Sequence, residues 1–329
     1  MCLPERCAEK SNMTPIMTDT IQLGKTEVQI SPIGLGAWQW GDRLFWKAGP
    51  TYTDADCRAA FEVSVQGGVT WVDTAEIYGP HTSERMLGEF LRSTKVLVAS
   101  KCFPYPWRFS ARSLTSALKG SLKRLGLARV DLYQMHWPGS WVKIEDWMGA
   151  MAAAAQDGLV RAIGVSNYNA EQTRRAAEHL AKHNLVLASN QIEYSLLHRN
   201  PERAGTLAAC QALGVTVIAY SPLAKGILSG KYTPNNAPPG VRSLRYNREY
   251  LGRVQPLLSL MKEIGTAHDG QSQSQVALNW LICKGAAPIP GAKNARQAQD
   301  NAGAMGWRLT EAEVKALDTE SDKIVPIRS

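Results

Sequence analysis

From about residue 20 to residue 320, short apolar runs alternate with longer stretches whose apolar positions recur every three to four residues. The runs at 33–37, 70–73, 96–100, 130–134, 162–165, 188–192, 215–220 and 286–289 are short, near-continuous in hydrophobicity and read as buried strands. Between them, 54–66 sets Ala55, Ala59 and Val63 four apart on one face. The stretches 83–91, 111–125, 144–156, 170–183, 201–213, 274–283 and 295–305 carry the same helical period. Two apolar patches flanking Lys25, at 21–24 and 28–30, predict an opening hairpin. Strand–helix alternation of this kind specifies a parallel sheet covered by helices. Eight such units fit a closed (β/α)8 TIM barrel better than two open sheets. The expectation is therefore an α/β barrel with an N-terminal β-hairpin and long βα loops at its C-terminal face. Residues 1–19 are polar, show no apolar period and are expected to form a flexible tail; 20–329 is expected to be one domain.

Composition narrows the class. With 44% hydrophobic and 20% charged residues the chain is of ordinary globular type, not of disordered type. No apolar run approaches the roughly 18 residues of a membrane helix, and residues 1–19 lack the apolar core of a signal peptide. The six cysteines stand at 2, 7, 57, 102, 210 and 283 without a Cys-x-x-Cys pair. That pattern favours a reducing compartment, with the cytoplasm expected. The net charge of +8 is not gathered into a basic run with interleaved aromatics, so no nucleic-acid partner is expected. It does concentrate between Ser221 and Arg253, where Lys225, Lys231, Arg242, Arg245, Arg248 and Arg253 face a single acid, Glu249. Such a segment is either a solvated loop or one that faces a phosphate-bearing small molecule. A small-molecule substrate and a monomer or weak homo-oligomer are expected, with no membrane partner.

The chemistry gathers where strands end. The second strand runs into Asp73-Thr74-Ala75-Glu76-Ile77-Tyr78, the third into Ser100-Lys101, and the fourth into Gln134-Met135-His136-Trp137. In a barrel these ends converge on one mouth, so Asp73, Tyr78, Lys101 and His136 meet there. An ammonium following an apolar strand needs a counter-charge, and Asp73 supplies it. A free tyrosine, with its pKa of about 10, is a poor acid at neutral pH. A nearby ammonium is expected to lower that value and tune Tyr78 as a proton donor to a carbonyl oxygen. His136 would orient the same oxygen.

Proton donation to a carbonyl calls for a hydride source. The glycine fingerprint for dinucleotides fails at Gly34-Leu35-Gly36, because Gln39 stands where the third glycine belongs. The later strand ends offer another cleft. Ser166 and Asn167 end the fifth strand, Gln191 the sixth, and Tyr220 the seventh, before Ser221-Pro222-Leu223-Ala224-Lys225-Gly226-Ile227-Leu228. The eighth ends Pro290-Gly291-Ala292-Lys293-Asn294 at the start of a helix, where backbone amides and a lysine favour an anion.

These motifs, in this order, resemble the aldo-keto reductase family over about residues 20–320. The local style resembles its longer-loop branch of plant and bacterial oxidoreductases, pyridoxal reductases and channel β-subunits. The resemblance implies NADPH-dependent reduction of an aldehyde or ketone, with Asp73, Tyr78, Lys101 and His136 as the catalytic tetrad. It implies cofactor contacts at Ser166, Asn167, Gln191, Tyr220, Ser221, Leu223, Gly226, Leu228, Gly291, Lys293, Gln297 and Asn301. Gly291 and Gln297 stand where the steroid- and aldose-type branch has lysine and arginine, so the 2′-phosphate contact falls to Lys293 or Arg296. Trp38, Trp107 and Trp137 each follow a strand on the same face and are expected to line the substrate pocket. The alternative is an NADPH-binding, redox-sensing regulatory subunit with slow turnover. A metal-dependent isomerase using Asp73, His136 and Glu193 is disfavoured, since the Lys101 ammonium would repel the ion. His179 and His183 share a helix face but lack the glutamate of His-Glu-x-x-His, and no metal is expected.

Overall fold

The computed structural model describes residues 20–43, 46–110, 112–139, 141–239, 243 and 246–325. The tail expected over 1–19 lies outside them, as do Arg242 and Arg245. Strands β1 (Ile21–Gln22) and β2 (Gln29–Ile30) pair antiparallel as the expected hairpin. Eight parallel strands follow: β3 (Leu35–Gly36), β4 (Trp71–Asp73), β5 (Leu97–Cys102), β6 (Val130–Met135), β7 (Val160–Ser166), β8 (Leu187–Glu193), β9 (Thr216–Tyr220) and β10 (Ala286–Pro288). Each pairs with its sequence neighbour from β3 to β10. The two outer strands then meet. The Gly34 and Gly36 amides donate to the Pro288 and Pro290 carbonyls at 3.0 Å, and Gly36 bridges Gly291. A Cβ on Gly36 would sit 2.7 Å from the Ile289 carbonyl oxygen, so glycine there lets the barrel seam close.

Helices α1 (Asp54–Gln66), α2 (Thr82–Phe90), α3 (Arg112–Leu125), α4 (Ile144–Gln156) and α5 (Ala170–Ala181) fall where the period places them. Thr53 and Asn169 close capping boxes with Asp56 and Gln172, which explains the sharp starts of α1 and α5. The single helix expected over 201–213 is two, α6 (Asn200–Arg203) and α7 (Thr206–Leu213), because Gly205 takes a φ of 73° between them. The basic segment from Ser221 to Arg253 is not one loop. A 3-10 helix occupies Ala224–Ser229, and the 20-residue helix α8 (Arg248–Ala267) begins at an Asn247 cap. Pro256, Gly252 and Gly265 disguise α8 in the sequence, yet it buries Leu251, Val254, Leu258, Met261 and Gly265 along one face. Helices α9 (Gln273–Cys283), α10 (Ala295–Ala302) and α11 (Glu311–Asp322) complete the chain.

The barrel interior is layered by the two-residue period of the strands. Its lower layer is apolar. Trp71, Ala99, Leu132, Ala162, Ala188, Ile218 and Ala287 cluster there with Leu23, Val28 and Ile30 of the hairpin, which plugs the bottom. Two residues further along β4, β5 and β6 stand Asp73, Lys101 and Gln134, all buried. The register sets Lys101 beside Gln134 and Asp73 beside Ala99. The interior thus passes from hydrocarbon to a charged and amide layer over one pleat, and that upper layer floors the mouth.

Candidate active site

Lys101 is completely buried. Its ammonium donates to the Asp73 carboxylate, to the Thr74 carbonyl at 3.0 Å and to the Tyr78 hydroxyl at 3.2 Å. All three protons are therefore placed, which is what a buried cation requires. Asp73 receives two further bonds on its other oxygen, from the side-chain amides of Gln191 at 2.8 Å and Gln134 at 3.2 Å. Burial disfavours the charge on Lys101, but Asp73 and Tyr78 outweigh it and hold the lysine above its ordinary value. Tyr78 departs from the expectation. Burial raises its hydroxyl above the ordinary tyrosine value, and the neighbouring Lys101 only partly offsets that. The phenol consequently stays protonated throughout the neutral range.

The ring of His136 lies 5.7 Å from that of Tyr78, edge to face, and its Nδ1 has no hydrogen-bond partner. Burial, and then the charge of Lys101, push His136 well below the ordinary histidine range, so it is neutral. The four residues expected to meet at the mouth do so. They set a weak acid on a fixed cation beside a neutral imidazole. Such a set can donate a proton and a hydrogen bond to a carbonyl oxygen.

The expected cofactor residues form a second chain of contacts along the same mouth. The Tyr220 hydroxyl donates to Asn167 Oδ1 at 3.0 Å, and Asn167 Nδ2 donates to the His136 carbonyl at 3.1 Å. Asn167 itself has a φ of 62°, a conformation asparagine tolerates better than most side chains. Ser166 donates to the Gln191 carbonyl at 2.8 Å. Gln191 spends its amide on Asp73, which joins the two halves of the site. Ser221, Ala224, Lys225 and Gly226 all have positive φ; Ser221, Lys225 and Gly226 are partly exposed, while Ala224 and Leu228 are buried in the core. Leu223 precedes the 3-10 helix and is partly buried. At the eighth strand end a Cβ on Gly291 would press to 2.6 Å from Gln39 Oε1, itself a buried atom without a partner. Asn301 Nδ2 donates to the Gly291 carbonyl at 3.4 Å, and the Lys293 amide donates to Gln297 at 2.9 Å. The Lys293 ammonium lies 4.8 Å from both the Trp46 and Tyr52 ring centres. Arg296 is exposed on the first turn of α10, whose N-cap is Asn294.

The three tryptophans expected in the pocket separate. Trp38 packs 6.3 Å from the Tyr78 ring and edge-on to Trp46. Trp137 lines a cleft of about 430 Å³ with Phe103, Pro104, Pro106, Pro138, Gly139 and Trp141. Trp107 is stacked 4.5 Å from Tyr105 and does not line that cleft. Phe103, whose ring lies 5.5 Å from His136, joins the cleft to the tetrad. Sequence reading overlooked Phe103, Gln134 and the pair Glu76–Arg108. A polar amide inside an apolar strand was a usable signal for Gln134, since buried amides demand partners.

Residues 32–321 match the Aldo/keto reductase family. The chain belongs to the aldo/keto reductase family. It is 38% identical over 307 residues to the chloroplastic pyridoxal reductase of Arabidopsis thaliana, covering 88% of this chain and 83% of that protein. It is 39% identical over 308 residues to an uncharacterized oxidoreductase of Mycobacterium tuberculosis, covering 91% of this chain and 92% of that protein. It is 30% identical over 295 residues to an NADP(+) aldo-keto reductase of Schizosaccharomyces pombe, covering 83% and 84% respectively. Among solved structures, glycerol dehydrogenase from Gluconobacter oxydans superposes with a TM-score of 0.83 at 26% identity, over 94% of this chain and 97% of that one. A thermostable aldo-keto reductase in complex with epalrestat gives 0.74 at 29%, over 92% and 100%. The chain is accordingly an oxidoreductase of a family that reduces carbonyls with nicotinamide cofactors. No helix among the described residues is long and apolar enough to cross a membrane.

Proposed function

We propose that this protein reduces an aldehyde or ketone to the alcohol with NADPH, using Tyr78 as the proton donor. The observation that carries the reading is the Tyr78 hydroxyl held 3.2 Å from a fully buried, carboxylate-paired Lys101 beside a neutral His136. The nucleotide suits the ends of β7 to β10. Asn167, Tyr220 and the positive-φ backbone at Ser221–Gly226 would hold its nicotinamide end, and Gly291, Lys293, Arg296, Gln297 and Asn301 its adenosine end. When bound, the nicotinamide supplies a hydride to the carbonyl carbon.

The protein's own work is at the oxygen. As the C=O bond opens, the Tyr78 O–H bond breaks and its proton passes to the carbonyl oxygen. The electron pair stays on the phenol oxygen, where the Lys101 ammonium stabilises it. Asp73 keeps that ammonium charged and in place. His136 donates a hydrogen bond to the same oxygen and fixes its position. Phenols are ordinarily stronger acids than aliphatic alcohols, and the Lys101 ammonium stabilises the phenolate left behind, so the proton goes from Tyr78 to the oxygen that becomes the alcohol. The regulatory-subunit reading is not favoured, because the relatives are named as reductases and oxidoreductases. A reducing compartment fits the free cysteines at 57, 102, 210 and 283. The chloroplastic relative makes an organelle as suitable as the cytoplasm.

The test is a screen following NADPH absorbance over aldehydes, ketones, quinones, pyridoxal and glyceraldehyde-type sugars, with Tyr78→Phe as control. Turnover in the native protein and none in the variant is expected. Equal rates in both would sink the assignment of Tyr78.

A further inference from the structure

The loop after β5 carries Phe103, Tyr105 and Trp107, and one ion pair ties it down. The Glu76 carboxylate is buried between Asp73 and Tyr78 in sequence. It receives the Phe103 backbone amide at 2.7 Å and both terminal nitrogens of Arg108, one at 2.9 Å. The same Arg108 donates to the Phe103 carbonyl at 2.6 Å and lies 5.1 Å from the Tyr105 ring centre. The loop is thus closed on itself, with its first and last residues held by one carboxylate from the β4 side. Between them the rings run in series. Phe103 meets His136 at 5.5 Å and Tyr105 at 4.8 Å, and Tyr105 stacks on Trp107 at 4.5 Å and 9°. Pro104 and Pro106 stiffen the backbone and face Trp137 and Trp141 across the cleft. A planar fork on a buried carboxylate is a rigid anchor, which a lysine could not reproduce.

We propose that Glu76 and Arg108 are positioning residues that set the Phe103–Pro106 segment as one wall of the carbonyl site, and that this wall selects flat, ring-bearing carbonyl compounds. The proposal rests on Tyr78 and His136 being the reacting centre, because Phe103 reaches that centre through His136. Neither Glu76 nor Arg108 touches the reacting atoms in this arrangement. Their effect is on where the ring of the substrate sits, and a misplaced wall weakens ring binding without altering proton donation.

The test compares 4-nitrobenzaldehyde with propanal, which has no ring for the wall to grip. Arg108→Met alone leaves Glu76 buried and unpaired and can unfold the protein, so the double variant Glu76→Gln, Arg108→Met carries the experiment, beside Arg108→Lys. For nitrobenzaldehyde the double variant should raise KM about tenfold or more with kcat nearly kept, while propanal kinetics stay within about twofold of the native protein. Arg108→Lys should fall between. An equal loss for both aldehydes, or native kinetics for both, overturns the proposal. Binding of 4-nitrobenzyl alcohol, read by tryptophan quenching, separates the two levels of argument. If the native protein turns over neither aldehyde, the reacting-centre reading fails. Weaker alcohol binding in the double variant then still supports the wall, and unchanged binding overturns it.

Discussion

Replacing Lys101 with methionine tests the tetrad most severely, because it should damage stability and rate by separate routes. The side chains are similar in length, but the ammonium that serves Asp73, Thr74 and Tyr78 disappears. Asp73 then stays buried with two amide donors on one oxygen and nothing on the other. Breaking a buried ion pair from one side destabilises by about 3–5 kcal/mol. The surviving Gln134 and Gln191 bonds put this case at the lower end, about 3 kcal/mol. Domains of 150–250 residues lose about 2–4 °C of Tm per kcal/mol, and this longer chain should lose about 5–8 °C. The rate falls because the phenolate left by Tyr78 loses its cation, and about 10²–10⁴-fold in kcat is expected. The double variant Asp73→Asn, Lys101→Met removes both charges together. It should recover most of the melting temperature and none of the activity. Scanning calorimetry and NADPH-coupled steady-state kinetics read the two effects independently. A Lys101→Met protein that melts within about 1 °C of the native one would refute the ion-pair argument. Restored turnover in the double variant would refute the role of the ammonium in the proton transfer.

Other outcomes follow from the same geometry. Tyr78→Phe should lower kcat and kcat/KM together by about 10²-fold or more while leaving the NADPH dissociation constant unchanged, checked by fluorescence titration. The low pKa of His136 predicts that kcat/KM shows no inflection near pH 6.5. It also predicts that stability falls as pH drops below about 6.5, where the unfolded chain takes up a proton that the folded one refuses, at up to about 1.4 kcal/mol per pH unit. His136→Asn should flatten that slope in denaturation series run from neutral to acid pH. The double change Lys293→Ala, Arg296→Ala should weaken NADPH by about a hundredfold and NADH little, at about 1.5–3 kcal/mol per charged hydrogen bond. Equal weakening of both nucleotides would instead point to the basic residues between Lys225 and Arg253.

The strands and most helices were legible because their signals are local. A run of four or five apolar residues, a capping box or a glycine at a helix end acts within a few positions, as Thr53–Asp56 and Asn169–Gln172 do. The tetrad was legible for a related reason. Polar residues directly following apolar strands have no place to go but the mouth, and topology brings them together. Helix α8 was not legible, since Pro256 and two glycines interrupt its propensity while its buried face is completed only by tertiary packing. The direction of the Tyr78 shift was misjudged because a charge neighbour can be read from the sequence, but the depth of burial that outweighs it cannot.

Glu76 carries no local signal of its role, since no lysine or arginine stands within a few positions of it in the sequence. In the fold it is buried, and its charge is held by Arg108, 32 residues away, at the far end of the aromatic segment. Two ion pairs with buried carboxylates therefore stand at neighbouring strand ends, Lys101–Asp73 inside the barrel and Glu76–Arg108 beside Cys102 on the other face of β5, and they serve different ends. Lys101–Asp73 keeps a cation beside the proton donor, so its loss should be felt by every carbonyl substrate. Glu76–Arg108 stays clear of the reacting oxygen and fixes the neighbouring wall, so its loss should be felt only by substrates that reach that wall. Comparing one ring-bearing and one ringless aldehyde across both pairs of variants therefore distinguishes acid chemistry from substrate placement within a single mouth.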